Sequence, residues 1–224
     1  THAVLRTRGI DALLVVPGSN PEQVAFPLDE FALASFGGLA FDLPVHQVLP
    51  DYFFNAGLCY RRLWELGYRR IGLFVPNYER RMTDGASVGG YLAAQWESHP
   101  RARLAVGTHS ENWQSSESAF KRGVKQTRPD AVIATYNEAG RWLRELGLQI
   151  PRDMGLVHPG LADDVAGWSG VDPDHYAQGA QAVDLLTAQV FRNERGLPRQ
   201  PKRTTINGRW VDGTTTRPQT AKRR

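Results

Sequence analysis

Short apolar runs recur along the chain. Ala12 to Val16 (ALLVV) lies between Gly9 and Pro17-Gly18, and Phe31 to Phe36 (FALASF), Ile71 to Val75 (IGLFV), Ala131 to Ala134 (AVIA) and Met154 to Val157 (MGLV) repeat the pattern. Runs of this length beside turn-forming residues read as strands covered on both faces, the form that parallel strands take. The segments between them carry helical spacing instead. Asp51 can cap a helix whose apolar positions Phe54, Leu58, Leu63 and Leu66 fall on neighbouring turns and whose end is marked by Gly67. Further helices are predicted over Val88 to Glu97, Ser115 to Gln126, Glu138 to Leu146 and, capped by Asp174, His175 to Arg192.

Two junctions echo each other. Leu63-Trp64-Glu65-Leu66-Gly67 precedes the strand at Ile71, and Leu143-Arg144-Glu145-Leu146-Gly147 precedes the strand at Met154. Each reads as a helix stopped by a glycine in the left-handed conformation, then a short loop into a parallel strand. Strands alternating with helices predict an α/β fold with a doubly wound parallel sheet. After the last helix, Thr204 to Ile206 and Arg209 to Val211 flank Asn207-Gly208, which predicts a tight terminal hairpin.

Composition narrows the class. With 224 residues, 41% hydrophobic and 22% charged, the chain can bury a substantial core and form one large domain or two small ones. Its net charge of +4 is unevenly placed. From Arg195 onward nine basic residues face one acid, Asp212, a balance of +8, which leaves 18 basic and 22 acidic residues, or −4, in residues 1 to 194. A basic stretch confined to a Pro/Thr-rich terminus is a solvated tail before it is a nucleic-acid surface. One cysteine, Cys59, excludes an intramolecular disulfide framework and suits a reducing compartment. No apolar run approaches the ~20 residues that span a bilayer. The six histidines lack metal-ligand spacing, and no phosphate- or dinucleotide-binding glycine motif is present, so neither metal nor cofactor is expected.

One enzyme motif is matched. Gly85-Ala86-Ser87-Val88-Gly89 fits G-x-S-x-G, with Asp163 or Asp164 and then His175 downstream in the order of a serine hydrolase triad. That chemistry needs the serine on a sharp turn directly after a buried strand. Residues 79 to 84 (ERRMTD) are not strand-like, so a catalytic Ser87 is the remote alternative and no enzyme is expected.

Five stretches, in order, resemble the effector-binding domain of LacI/GalR-type transcriptional regulators. They are Arg8 to Val15 (RGIDALLV), Leu63 to Ile71 (LWELGYRRI), Pro129 to Ala134 (PDAVIA) with Asn137, Leu146 to Asp153 (LGLQIPRD), and Gly170-Val171-Asp172 with Gly179, Ala182 and Leu185. The resemblance implies a two-lobed periplasmic-binding-protein-like (type I) fold. It divides the chain into the remainder of an N-terminal lobe (1–48), a C-terminal lobe (49–165), an interlobe crossover with returning helix and hairpin (166–216), and a basic tail (217–224). The family's helix-turn-helix headpiece and first N-lobe elements find no match, so the N-terminal lobe is expected to be incomplete, with an exposed sheet edge.

The function implied is a cytoplasmic, homodimeric repressor or activator that senses a small effector, a sugar or sugar derivative, between its lobes. It would reach operator DNA through a headpiece that this chain does not contain. A secreted solute-binding protein of a sugar transporter is the alternative; the free Cys59, the LGYRRI segment and the terminal hairpin ending Trp210-Val211-Asp212-Gly213-Thr214 favour the regulator.

Effector pockets of this family are built from loops at the carboxyl ends of strands. The loop after the strand at Ile71 supplies Tyr78, Arg80 and Arg81; the arginines suit polyhydroxyl or anionic ligands, or are surface charges. The family's pocket arginine is replaced by Ser87. Trp113 falls at a family pocket aromatic, and is either a stacking surface for a sugar ring or core packing. Asn137 matches the pocket asparagine and could equally cap a helix. Where the family carries a ligand aspartate this chain has Gly160, and His158 is the candidate substitute.

Overall fold

The computed structural model describes residues 2–16, 27–38, 43–98, 107–109 and 113–219, except the side chains of 107–109 and 113–115. In chain order the elements are α1 (His2–Thr7), β1 (Ala12–Val15), β2 (Ala32–Phe36), β3 (His46–Pro50), α2 (Tyr52–Glu65), β4 (Ile71–Pro76), α3 (Asn77–Met82), α4 (Ala86–Ser98) and β5 (Gly107–His109). Then follow α5 (Trp113–Thr127), β6 (Ala131–Ala134), α6 (Ala139–Glu145), β7 (Gly155–His158), a 3-10 turn (Asp163–Val165), β8 (Ser169–Asp172), α7 (His175–Phe191), β9 (Arg203–Ile206) and β10 (Arg209–Val211). They form two compact units, Thr1–Pro50 with Asp174–Ile206, and Asp51–Pro173 with Asn207–Arg224. The stretch 166–216 is therefore shared: α7 and β9 belong to the first unit, β8 and β10 to the second.

The first unit has a parallel sheet ordered β1-β2-β3-β9. Strand alternation sends Leu33 to one face with Phe31, Val45 and Leu5 of α1, and the smaller Ala32 and Ala34 to the other, against Leu186 and Val190 of α7. Asp174 caps α7 by accepting from Ala177 N at 3.0 Å. Gln189, on the buried side of that helix, accepts from Leu33 N and donates to Leu33 O, serving backbone groups one residue before the β3 register begins opposite Ala34.

The second unit has a six-stranded sheet ordered β10-β8-β7-β6-β4-β5, parallel except for β10. Both faces are covered, which explains the continuous apolar runs. Ile71, Leu73, Val75, Ala131, Ile133 and Val157 point to a cluster with Tyr60 and Leu63 of α2 and Tyr91 of α4; Phe74, Val132, Ala134 and Leu156 point to Phe120 of α5 and Trp142 and Leu143 of α6. Full burial of one such side chain contributes about 1.5–3 kcal/mol. Asp51 caps α2 by accepting from Phe54 N at 2.8 Å, and Gly67 and Gly147 take positive φ after their helices, as the echoed junctions require. Helices α2 and α4 cross so closely that a Cβ at Gly90 would stand 1.9 Å from the Phe53 carbonyl oxygen.

Two expectations are corrected. The residues after β4 are a helix, α3, rather than a loop. Strands β9 and β10 are not a hairpin: β9 pairs in parallel with β3 and β10 antiparallel with β8. Asn207-Gly208 is where the chain leaves one sheet for the other. Gly208 has no positive φ; a Cβ there would meet Val171 Cγ1 at 2.3 Å and Asp172 O at 2.7 Å, and its N–H donates to Asn55 Oδ1 at 2.9 Å. Close approach, not turn conformation, is what calls for glycine. After β10 the chain stays on the second unit, where Leu156 N donates to Thr215 O, Thr215 Oγ1 to Leu156 O, and Arg217 N to Tyr68 Oη. Beyond Gln219 the basic tail lies outside the described residues. No helix among the described residues is long and apolar enough to cross a membrane.

Candidate functional site

The strand order of the second sheet reverses at β4. One crossover leads from β4 through α4 to β5, and the next leads through α5 past β4 to β6, with α4 packed in one core cluster and Phe120 of α5 in the other. Open α/β sheets bind ligands outside the carboxyl ends of the strands at such a reversal. Here that position is formed by α3 and the start of α4 after β4, and by Thr135 to Glu138 after β6. His158 and Gly160 extend it at the end of β7.

Glu79 of α3 is its central acid. Burial of the carboxyl pushes it up to about 7, while the Ser87 and Thr135 hydroxyls hold the rise back. Ser87 itself is buried. The hydroxyl of Tyr78 is raised by burial and by the neighbouring Glu79 and Glu138, and burial pushes Tyr136, on the same turn, up to about 12. Asn137 is exposed and its amide nitrogen donates to Asp164 in the 3-10 turn. It does not cap α6, whose N-cap is Glu138 with no side-chain capping bond.

His158 is 8% exposed. Its Nδ1 accepts from Gly160 N at 3.1 Å, so the neutral ring carries its proton on Nε2. Burial lowers its pKa, opposed by the Thr135 and Gly160 backbone and by Asp164, so the ring is neutral at physiological pH. Nε2 and Glu138 Oε2 have no partner of normal hydrogen-bond geometry, although the Thr135 backbone stands near enough to His158 to favour its protonated form. Buried polar atoms without partners are rare, because each forfeits its hydration with no return.

The structure thus brings Tyr78, Ser87, Asn137 and His158 to one edge. Arg80 and Arg81 are exposed at the end of α3, outside the buried cluster, and the Trp113 side chain lies outside the described residues. Glu79, Thr135, Tyr136, Glu138 and Asp164 join the site without having been singled out as ligand residues; a lone acid in a polar stretch carries no local mark of burial. Ser87 sits in the first turn of α4, preceded by helix α3 and a turn rather than by a strand, so the elbow of a serine hydrolase is not formed.

The family profile of the periplasmic-binding-protein-like domain matches residues 60–216. No curated protein matches the chain by sequence. Solved structures match over nearly the whole chain. A LacI family transcriptional regulator from Enterococcus faecium with bound ribose aligns at 16% identity and a TM-score of 0.69, covering 97% of this chain and 84% of its own. A LacI transcriptional regulator from a Rhodococcus species aligns at 19% and 0.69, covering 96% and 81%. A periplasmic binding protein/LacI transcriptional regulator from Alkaliphilus metalliredigens complexed with D-xylulofuranose aligns at 13% and 0.64, again covering 96% and 81%. The reversed parallel sheet, the loaded carboxyl-end edge and the profile spanning every strand of the second sheet agree: the chain belongs to the periplasmic-binding-protein-like domain family.

Proposed function

We propose that this chain is the ligand-sensing part of a LacI-type transcriptional regulator, cytoplasmic and homodimeric, and that it binds a small effector, a sugar or sugar derivative, at the carboxyl-end edge of the second sheet. The observation that carries this reading is the gathering of buried polar groups at the reversal of the strand order, among them His158 Nε2 and Glu138 Oε2, which lack a partner of normal hydrogen-bond geometry. A ligand rich in hydroxyl groups meets both needs there, since each hydroxyl donates and accepts. The relatives solved with ribose and D-xylulofuranose share the fold and support the ligand class.

Effector binding regulates only through unequal affinity for two states of the protein, so the effector would favour one arrangement of the regulator and shift its affinity for an operator. DNA contacts belong in this reading to a headpiece outside these residues, and the chain by itself has no sequence-specific affinity for DNA. Sequence-specific binding by the chain alone would overturn that division of labour.

A thermal-shift screen of pentoses and hexoses tests the site. A sugar at 100 times its Kd stabilises by about 2.7 kcal/mol, a rise of roughly 5–10 °C for a chain of this size. Asn137→Ala and His158→Ala should each lose most of that response. An unchanged response in both variants would remove this edge as the site.

A further inference from the structure

At the amino-end edge of the second sheet, three helices pass into parallel strands through the same kind of junction, and one junction departs from the pattern. The residue that closes the helix in the left-handed conformation is Gly67 after α2 (φ 95°) and Gly147 after α6 (φ 80°), but after α5 it is Arg128, at φ 47°. Its N–H donates to Val124 O at 2.9 Å, so the helix stop is intact and is built on a residue with a side chain. Glycine adopts this conformation freely, whereas arginine pays in steric strain. Such a strained position calls for a role for the side chain it carries.

Arg128 stands at the rim of a cavity of about 390 Å3 between the ends of α5 and α6 and the start of β7. Val124 and Met154, both buried, and the half-buried Leu146 and Leu148 form its apolar floor. Lys125 and Asp153 share the rim with Arg128, all three exposed. The acids here are already engaged: Asp153 by Arg152 and Gln149 N, and Asp130 by the N–H groups of Arg69 and Arg70. Lys125 and Arg128 form no ion pair or side-chain hydrogen bond with another described residue, and Arg217, which donates to Arg152 O at 2.9 Å, adds a further cation close by. A cation in the last turn of a helix answers the negative end of the helix dipole, which accounts for Lys125. It does not account for a second cation held in a conformation that the two sister junctions give to glycine.

We infer that this cavity is a second ligand site, separate from the sugar edge, for a small organic acid. The apolar body of the ligand lies on Val124, Leu146, Leu148 and Met154, and its carboxylate is held at the rim by the Arg128 guanidinium and the Lys125 ammonium. Both halves of the site are needed to name the ligand. A bare anion would leave the apolar floor uncovered, and a neutral apolar molecule would leave the two cations unanswered. The guanidinium fork matches a carboxylate with two parallel hydrogen bonds, which a lysine at the same place would not do. The volume lies at the small end of ligand cavities and suits an aryl or branched alkyl acid.

Isothermal titration of the chain with three acids and their amides tests this: benzoate and benzamide, phenylacetate and phenylacetamide, 4-methylvalerate and 4-methylvaleramide. We expect at least one acid to bind about ten-fold more tightly than its amide. In Arg128→Gly that acid should fall to the level of its amide. Glycine keeps the left-handed turn, so the urea midpoint of this variant should be no lower than the parent's and the loss cannot be laid to misfolding. Leu148→Ser should weaken acid and amide alike, since both use the floor. Asn137→Ala and His158→Ala, at the other end of the sheet, should leave acid binding unchanged whatever they do to the sugar response. The site is overturned if no acid binds up to about 10 mM, if acid and amide bind equally, or if Arg128→Gly keeps the preference for the acid. It is overturned equally if inorganic phosphate displaces the acid at the same concentration, which would mark a surface charge only, or if the acid is lost in Asn137→Ala and His158→Ala.

Discussion

The two ends of the second sheet carry similar residues in opposite states. At the amino-end edge, Asp130 accepts from Arg70 N at 2.9 Å and from Arg69 N at 2.9 and 3.2 Å, and Asp153 accepts from Gln149 N at 2.9 Å while paired with Arg152. These bonds hold Asp153 below the usual carboxylate range. At the carboxyl-end edge Glu79 is raised to about 7 and Glu138 Oε2 has no partner. Carboxylates at one end complete the fold; those at the other are kept in readiness. Strand polarity explains part of the difference. At the amino ends free backbone N–H groups enter the sheet and welcome carboxylates, whereas the carboxyl ends present carbonyls and need a donor from outside.

The contrast makes the two ends respond oppositely to pH, and the largest effect is expected from Glu79. Its folded-state pKa lies above the unfolded value near 4.5, so the native state holds the extra proton and stability falls as pH rises from about 4.5 to 7. With allowance for partial exposure that loss is about 2–3 kcal/mol. Glu79→Gln should flatten this window in urea melts at stepped pH and leave the variant more stable than the parent at pH 8. An unchanged slope would mean that Glu79 is not desolvated.

Asp130→Ala comes next. Three backbone contacts to one carboxylate are lost, and a cost of about 2 kcal/mol is expected at neutral pH, measured as a lower urea midpoint with the sugar response retained. Loss of sugar response together with stability would erase the division between the ends. His158→Ala should cost only about 1 kcal/mol, the bond from Gly160 N, yet remove most of the ligand response. The smallest effect is at Asp153. Because its pKa is lowered, its contribution is present above the unfolded value near 3.8 and lost as pH falls below it, so Asp153→Asn should lower stability slightly across the neutral range and flatten the further loss below about pH 3.8.

Features decided within a few residues were legible in the chain. Asp51 and Asp174 cap their helices as read, because a capping side chain reaches only two or three residues ahead. Gly67 and Gly147 end theirs in the left-handed conformation for the same local reason. The five apolar runs became strands of parallel sheets, since continuous burial on both faces leaves no other pattern. Strands β3, β5 and β8 were not evident: His46–Pro50 mixes polar residues and a proline, and the other two are short and glycine-containing. Trp96, a large aromatic inside the helix predicted over Val88 to Glu97, is 61% exposed on α4, which shows that residue type alone does not settle which face of a helix is covered.

The site divided along the same line. Asn137 and His158 could be picked out because they end apolar strands, a position that α/β topology assigns to ligands. Glu79 could not, since Asn77 to Met82 reads as polar surface. Its burial arises only when Ser87, eight residues on, and Thr135, from another strand, close over it. The terminal hairpin failed for the converse reason: Asn207-Gly208 satisfies a tight turn locally, but β9 pairs with the β3 edge and β10 with the β8 edge instead. The sequence by itself therefore determined the elements, their caps and the α/β class, because hydrophobic spacing and short-range hydrogen bonds act within a few residues. The tertiary structure alone decided which acid is desolvated, which strand edge is joined and which polar atoms are left for a ligand, because these depend on contacts between residues far apart in the chain.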